Sequence, residues 1–159
     1  MKATVYIESS VISYLTARPS NDLVKSARQA ITSEWWTHNL PDFEVYVSEL
    51  VELEISQGDS AAAAARMEVT ASIENLAVSE KAQEIAEQLV IHRAVPATCP
   101  QDALHIGIAA SNGIEFLLTW NFKHINNAYS KANIRTAIER FGFQCPELCS
   151  PEELRAGDN

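Results

Sequence analysis

Residues 4–10 read Thr-Val-Tyr-Ile-Glu-Ser-Ser, and this stretch decides the fold class. Its first four residues form a short β-branched and aromatic run without polar alternation, which is typical of a strand buried on both faces. The acid Glu8 and two serines follow directly, and a helical pattern begins at Val11. Because serine is a favoured helix cap, we expect Ser9 or Ser10 to cap this helix.

The same order of strand and then helix recurs along the chain. Further strands are predicted at residues 45–47, 73–78, 116–119 and 147–149. Helices are predicted after Asn21, from the cap Ser48 to Gly58, at 61–71 and 79–92, from a capping box at Thr98 to Asn112, and after Asn127. The pattern indicates a single α/β domain over residues 1–159, with a parallel sheet of about four or five strands covered by helices on both faces. Ligands of such folds bind at the carboxyl ends of the strands.

The composition is that of an ordinary globular protein, with 47% hydrophobic and 21% charged residues in 159. The net charge of −9 argues against nucleic-acid binding by bulk positive charge. That charge is unevenly distributed, because residues 34–119 sum to −11, whereas residues 1–33 sum to +2 and residues 120–140 to +3. Two basic stretches therefore flank an acidic middle.

Targeting and redox features are sparse. No run approaches the roughly 18 apolar residues of a membrane helix, so no membrane partner is expected. The first five residues already enter a strand pattern, from which we expect no signal peptide and a cytoplasmic protein. Cys99, Cys145 and Cys149 have no nearby histidine at zinc spacing, and we interpret them as reduced and structural.

Two acidic residues lie at positions where the surrounding pattern is apolar and a charged side chain is unexpected. Glu8 stands at the carboxyl end of the first strand, although a strand-end residue turning into water is an alternative interpretation. Glu54 falls on the apolar arc of its helix beside Leu50 and Val51, so we expect it to point inward. A snorkelling or salt-bridged carboxylate at the rim is the alternative for Glu54.

Two further polar residues fit the same edge of the sheet. Asp102 lies in the first turn of its helix, which the helix dipole favours by itself, but it also stands above a stripe of small apolar residues suited to packing on the sheet. Asn121 follows the strand at 116–119, and a plain turn residue is its alternative. If the three acids and Asn121 converge, their oxygens would favour Mg²⁺ or Mn²⁺, because neighbouring carboxylates cannot all stay ionised without a cation. Such sites hydrolyse phosphodiesters.

Four segments, read in order, resemble those of the PIN domain, and specifically the VapC-like toxin ribonucleases of bacterial type II toxin–antitoxin systems. They are residues 6–10 (YIESS), 47–55 (VSELVELEI), 102–110 (DALHIGIAA) and 118–121 (LTWN). The resemblance implies a PIN-like fold and a metal-dependent endoribonuclease. It also implies an RNA substrate, a cognate antitoxin and a homodimer.

The resemblance assigns roles to the polar residues. Glu8, Glu54 and Asp102 correspond to the family's metal-binding acids, and Asn121 stands at a fourth catalytic position that is often Asp. Glu8 is longer than the usual Asp, and Asn121 removes one negative charge, so weaker metal affinity is expected. Ser10 is a candidate for the hydroxyl shell of the site or, alternatively, for the helix cap.

The basic stretches supply candidate contacts to RNA. Arg18 and Lys123 follow two of the strand ends, and together with Ser10 and Thr119 they form the predicted substrate-binding set. Trp120 or Phe122 would stack on bases, unless they are core aromatics. We interpret His105 as a packed helix residue, and we expect no cluster around His38, His92 or His124.

Two other functions remain open from the sequence. The first is a PIN-like module that binds RNA or protein with weak or no nuclease activity, which is expected if Glu8 and Asn121 impair metal binding. An unrelated phosphotransfer or phosphatase domain would need a nucleophilic Asp at the end of the first strand, where Glu8 stands instead.

Overall fold

The computed structural model of the protein describes residues 1–156 and contains one parallel sheet flanked by seven α-helices. The strands are β1 (Thr4–Ile7), β2 (Glu44–Ser48), β3 (Glu74–Leu76), β4 (Phe116–Leu118) and β5 (Glu147–Cys149). The helices are α1 (Ser9–Thr16), α2 (Leu23–His38), α3 (Glu49–Ile55), α4 (Ser60–Thr70), α5 (Glu80–Ile91), α6 (Pro100–Ser111) and α7 (Lys131–Arg140). All five predicted strands are confirmed. None of the helices among residues 1–156 has the length and apolarity needed to span a bilayer.

The sheet order is β3-β2-β1-β4-β5, and every neighbouring pair is parallel. Tyr6 of β1 pairs with Tyr46 on one side and with Leu117 on the other. The chain leaves β1 toward β2 and β3 and later returns to β4 on the opposite side. The carboxyl ends of β1 and β4 therefore form a topological switch point, which is where open α/β sheets place their ligands.

Helices cover both faces of the sheet. Val5, Tyr6 and Ile7 are three successive residues of β1, and each is 0% exposed. Successive side chains of a strand point to opposite faces, so both faces of the central strand are buried. This confirms the prediction drawn from the unbroken apolar run.

Helices α5 and α6 pack unusually closely at Gly107. A Cβ atom built at this position would lie 2.3 Å from the backbone oxygen of Ala82. Only glycine allows the two helix backbones to approach in this way. The close contact fixes where α6 lies, and with it the side chains that α6 presents to the sheet.

The start of helix α1 differs from the prediction. Glu8, rather than a serine, is the N-cap, and its carboxylate accepts a hydrogen bond of 3.1 Å from the backbone N–H of Ser10. The capping box at Thr98 is also wrong, because Cys99 is the N-cap of α6 and makes no side-chain capping bond. The prediction for Ser48 is confirmed, since its hydroxyl accepts a hydrogen bond from Val51 N–H.

Candidate active site

Glu8 is held rigidly at the carboxyl end of β1. Its backbone N–H donates to Leu118 O of the neighbouring β4 at 3.0 Å, and the residue is only 6% exposed. Its Oε1 accepts hydrogen bonds from the hydroxyls of Ser10 and Thr119, the latter at 2.6 Å, and its Oε2 accepts from Ser10 N–H. Glu8 is therefore a buried, oriented carboxylate and does not turn into water. An Oε2 lone pair stays open, because a carboxylate has about four acceptor sites.

Glu54 points inward from α3, as its position on the apolar arc predicts. Its Oε1 accepts hydrogen bonds from Ser9 Oγ at 2.7 Å and from His105 Nε2 at 2.5 Å. Burial raises the pKa of Glu54, but the hydrogen bonds and charge of His105 and the bond from Ser9 outweigh burial, so the pKa lies below its ordinary value. The side chain is 33% exposed, which leaves the ionised carboxylate within reach of a ligand.

His105 joins this carboxylate to the core of the sheet. It is 1% exposed, and its Nδ1 lies 2.6 Å from the Tyr6 hydroxyl, which in turn lies 2.8 Å from Ser48 Oγ. Burial raises the pKa of Tyr6, so the phenol keeps its proton, and His105 Nε2–H donates to Glu54. The interpretation of His105 as a packed residue is confirmed, but its contact with Glu54 adds a role that the sequence did not reveal. Because both ring nitrogens are engaged, His105 orients Glu54.

Glu8, Glu54 and His105 form one compact cluster. One ligand atom from each residue lies within 4.8 Å of the other two. Two carboxylates this close in a largely buried setting repel one another, and a divalent cation would relieve that repulsion. The donor set therefore fits a hard ion held by carboxylate oxygens.

Asp102 lies in a second cluster. Its Oδ2 is 2.8 Å from His124 Nδ1, and Cys99 completes a group whose ligand atoms lie within 4.8 Å of one another. The expectation that His124 joins no cluster is therefore wrong, because the loop after β4 folds back onto the start of α6. The spacing of Cys99 and Asp102, one helical turn apart at the start of α6, was the sequence signal for this group.

Asn121 shapes the loop that follows β4. Its Oδ1 accepts hydrogen bonds from the backbone N–H groups of Lys123 at 3.2 Å and His124 at 2.9 Å. Its own backbone N–H donates to Thr119 Oγ1 at 2.9 Å. These contacts agree with the turn-residue alternative, and they hold His124 beside Asp102.

The two hydroxyl residues of the predicted substrate-binding set face Glu8. Ser10 Oγ donates to Glu8 and accepts from Trp120 N–H at 2.9 Å, so Ser10 orients this carboxylate and is not the helix cap. Thr119 is fully buried, and its hydroxyl contacts Glu8 and Asn121. Both residues orient the carboxylate from within the protein.

The basic candidates lie at the surface. Arg18 lines a cleft of about 700 Å³ between α1 and α4, together with Arg66. Lys123 is exposed in the loop after β4.

The aromatic candidates differ in their burial. Trp120 is 5% exposed and is a core residue, with its ring nitrogen donating to Thr32 Oγ1 at 2.8 Å. Phe122 is 37% exposed, with the Arg28 guanidinium 5.1 Å from its ring centroid, so of these two rings Phe122 is the one that a base could reach.

The five-stranded parallel sheet flanked by helices is a PIN-like α/β fold. No family model and no curated protein matches the sequence. The fold is similar to that of the solved Mycobacterium tuberculosis VapC20, described as a sarcin-ricin loop cleaving toxin, with a TM-score of 0.59 and 19% identity over 96% of this chain and 99% of that one.

Two further solved structures are similar. VapBC-1 of nontypeable Haemophilus influenzae matches with a TM-score of 0.57 and 14% identity, over 94% of this chain and 99% of that one. VapBC2 of Rickettsia felis, solved with a DNA fragment from its promoter, matches with a TM-score of 0.52 and 11% identity. The match covers 92% of this chain and 98% of that one. At these identities the likeness shows the fold, and it confirms the predicted VapC-like PIN architecture.

Proposed function

We propose that this protein is a metal-dependent endoribonuclease of the VapC type, which hydrolyses phosphodiester bonds of RNA. The observation that carries the proposal is the pair Glu8 and Glu54, two oriented carboxylates whose oxygens lie within 4.8 Å at the switch point of the sheet. The VapC-like fold supports the same activity. We also infer that residues 1–159 form a single PIN-like domain.

The ion of this site would be Mg²⁺ or Mn²⁺, held by Glu8, Glu54 and, as third ligand, Asp102. An ion bound to such oxygens polarises a phosphoryl group and lowers the pKa of a bound water. Asn121 takes part by shaping the loop beside Asp102. One negative charge fewer than in a four-acid site predicts weaker ion binding.

Hydrogen bonds from neighbouring residues hold the site carboxylates in place before an ion and RNA bind. Ser10 and Thr119 hold the Glu8 carboxylate in one orientation, and His105 holds that of Glu54. Since these donors are already in place, little reorganisation is needed when an ion and a phosphate arrive. Arg18 and Lys123 would bind flanking phosphates, which makes RNA binding sensitive to salt.

Substrate and partners follow from the same proposal. VapC20 is described as a toxin that cleaves the sarcin-ricin loop, which supports a structured RNA as substrate here. The VapBC neighbours support a cognate antitoxin as partner. We further propose a homodimer that acts in the cytoplasm.

Cleavage of a labelled structured RNA with and without Mg²⁺ or Mn²⁺ tests this function. Glu54→Gln and Asp102→Asn keep the shape of each side chain but remove its charge, and both variants should lose at least about 100-fold in cleavage rate, as expected when a metal ligand is removed. Glu87→Gln, which changes an exposed acid on α5, is the matched control and should cut like the parent. Parental rates in both site variants would contradict the assignment.

One observation favours the second candidate, a binding module with weak or no nuclease activity. Glu8 Oε1 already accepts two hydroxyls, and the Asn121 oxygen is bonded to two backbone amides, so fewer oxygens are free for an ion. A binding module would retain RNA without cleaving it and would show no Mn²⁺-dependent rise in melting temperature. A rise in melting temperature that Glu54→Gln abolishes favours the nuclease.

A further inference from the structure

We propose that Cys99, Asp102 and His124 form a binding site for a borderline-soft transition-metal ion of the Zn²⁺ class. One ligand atom of each residue lies within 4.8 Å of the other two, and all three side chains are half-buried. Binding at this site does not require that the protein be a nuclease.

Two fixed elements present the three ligands. Cys99 is the N-cap of α6, and Asp102 lies one turn later, with its backbone N–H donating to Cys99 O at 3.2 Å. His124 comes from the loop after β4, where its backbone N–H is held by Asn121 Oδ1. The side chains therefore converge because the backbones beneath them are already hydrogen-bonded.

The geometry suits a tetrahedral ion. Bonds of about 2.0–2.3 Å from zinc to N, O and S ligands put neighbouring ligand atoms about 3.3–3.8 Å apart. His124 Nδ1 and Asp102 Oδ2 are 2.8 Å apart, so a small separation of this pair and a small inward rotation of Cys99 would reach that geometry. Cys99 Sγ is free to rotate, because its hydrogen-bond contact within residues 1–156 is a long one of 3.8 Å to Thr98 Oγ1.

The ligand chemistry selects the ion. A thiolate, an imidazole and a carboxylate are ligands of zinc, whereas Mg²⁺ is held by oxygens. Three protein ligands leave a fourth position for water. When the ion binds, the Cys99 thiol and the imidazole Nδ1 give up any proton they carry to the solvent.

The site shares Asp102 with the proposed hard-ion centre, and this consequence rests on the proposed function. A zinc ion held by Cys99 and His124 would withdraw Asp102 from Glu8 and Glu54. Zinc should therefore inhibit cleavage in the presence of Mg²⁺, and Cys99→Ser should weaken that inhibition by at least about tenfold in zinc concentration.

Titration of the full chain with Co²⁺, in the absence of RNA, tests the site directly. We expect one thiolate-bound Co²⁺ per chain, identified by the thiolate-to-cobalt absorption band and the visible bands of a tetrahedral ion. Cys99→Ser should lose the thiolate band, and His124→Gln should bind at least about tenfold more weakly. His92→Gln, which changes an exposed histidine, should bind like the parent. Absence of the thiolate band from the parent, or its persistence in Cys99→Ser, overturns the proposal.

A second measurement needs no variant. Cys145 and Cys149 are each 5% exposed, so a thiol reagent should modify the half-buried Cys99 first. Zn²⁺ should slow modification of Cys99 by at least about tenfold, because a thiolate bound to the ion is not free to react, and an unchanged rate overturns the site. If the protein binds Co²⁺ through Cys99 but cleaves no RNA, this metal site is supported and the proposed nuclease activity is refuted. Cleavage without a thiolate band refutes only this site.

Discussion

His105 Nε2 lies 2.5 Å from Glu54 Oε1, and this contact ties the candidate site to the core of the sheet. The same ring receives the Tyr6 hydroxyl on its other nitrogen, so a strand, a helix and a carboxylate are connected through one buried imidazole. A hydrogen bond of this kind fixes the orientation of the carboxylate, so that a defined oxygen faces a ligand. The hydrogen-bond partners of metal ligands generally have this effect.

Replacing His105 by Leu, which offers no hydrogen-bond donor, should therefore weaken ion binding. Glu54 would keep the bond from Ser9 but lose the one from His105 and lie in several orientations, so we expect Mn²⁺ affinity to fall by about 10–100-fold. A Mn²⁺ titration followed by melting temperature measures this change. The fold should survive, which circular dichroism checks, and a variant that folds and binds Mn²⁺ like the parent would show that His105 only fills space.

Tyr6→Phe should lower the stability of the fold. It removes one hydroxyl and leaves His105 Nδ1 and Ser48 Oγ without their shared buried partner, at a cost of about 1–3 kcal/mol in the free energy of unfolding. Urea unfolding measures the loss. Tyr129→Phe, at a 93% exposed position, is the control and should unfold like the parent.

Gly107→Ala should destabilise the protein by about 3 kcal/mol, because the new methyl group would lie 2.3 Å from Ala82 O and α5 and α6 would have to separate. Gly113→Ala is the comparison. Its φ of +67° costs about 1–2 kcal/mol, but nothing lies within 4 Å of its Cβ. Equal losses in the two variants, measured by urea unfolding, would contradict the close approach of the helices.

Glu153 should make stability depend on pH. Burial raises its pKa, but hydrogen bonds from Asn126 and from the N–H and hydroxyl of Ser150 outweigh burial and lower the pKa overall. A carboxyl with a lower pKa in the folded state stabilises that state above its unfolded pKa of about 4.3, and the stabilisation is lost as the pH falls through the folded pKa.

Glu153→Gln should consequently lower the melting temperature at pH 7, and the difference should shrink as the pH falls below about 4.3. Melting curves between pH 3 and pH 8 for the two proteins check this sign. A difference that grows toward acid pH would show that the carboxylate does not stabilise the fold.

Local sequence patterns correctly predicted those features that depend on a single strand or helix. The apolar run ending at Ile7 predicted a strand buried on both faces, and the apolar arc of α3 predicted that Glu54 points inward. Both inferences rest on the periodicity of a single strand or helix, which the sequence carries in full. The cap of α1 was mistaken, because the bonds from Thr119 and Ser10 hold the Glu8 carboxylate at the start of the helix, and Thr119 comes from a distant part of the chain.

The sequence by itself therefore determined the strands, most helix boundaries and, of the predicted acids, the pair Glu8 and Glu54 that meets at the carboxyl edge. Only the tertiary structure decided which side chain contacts which acid. His124 lies 22 positions beyond Asp102, and His105 lies 51 beyond Glu54, so no local period relates the members of either pair. Their contacts depend on the order of the strands and on the close packing of α6, which are long-range consequences of burying both faces of one sheet.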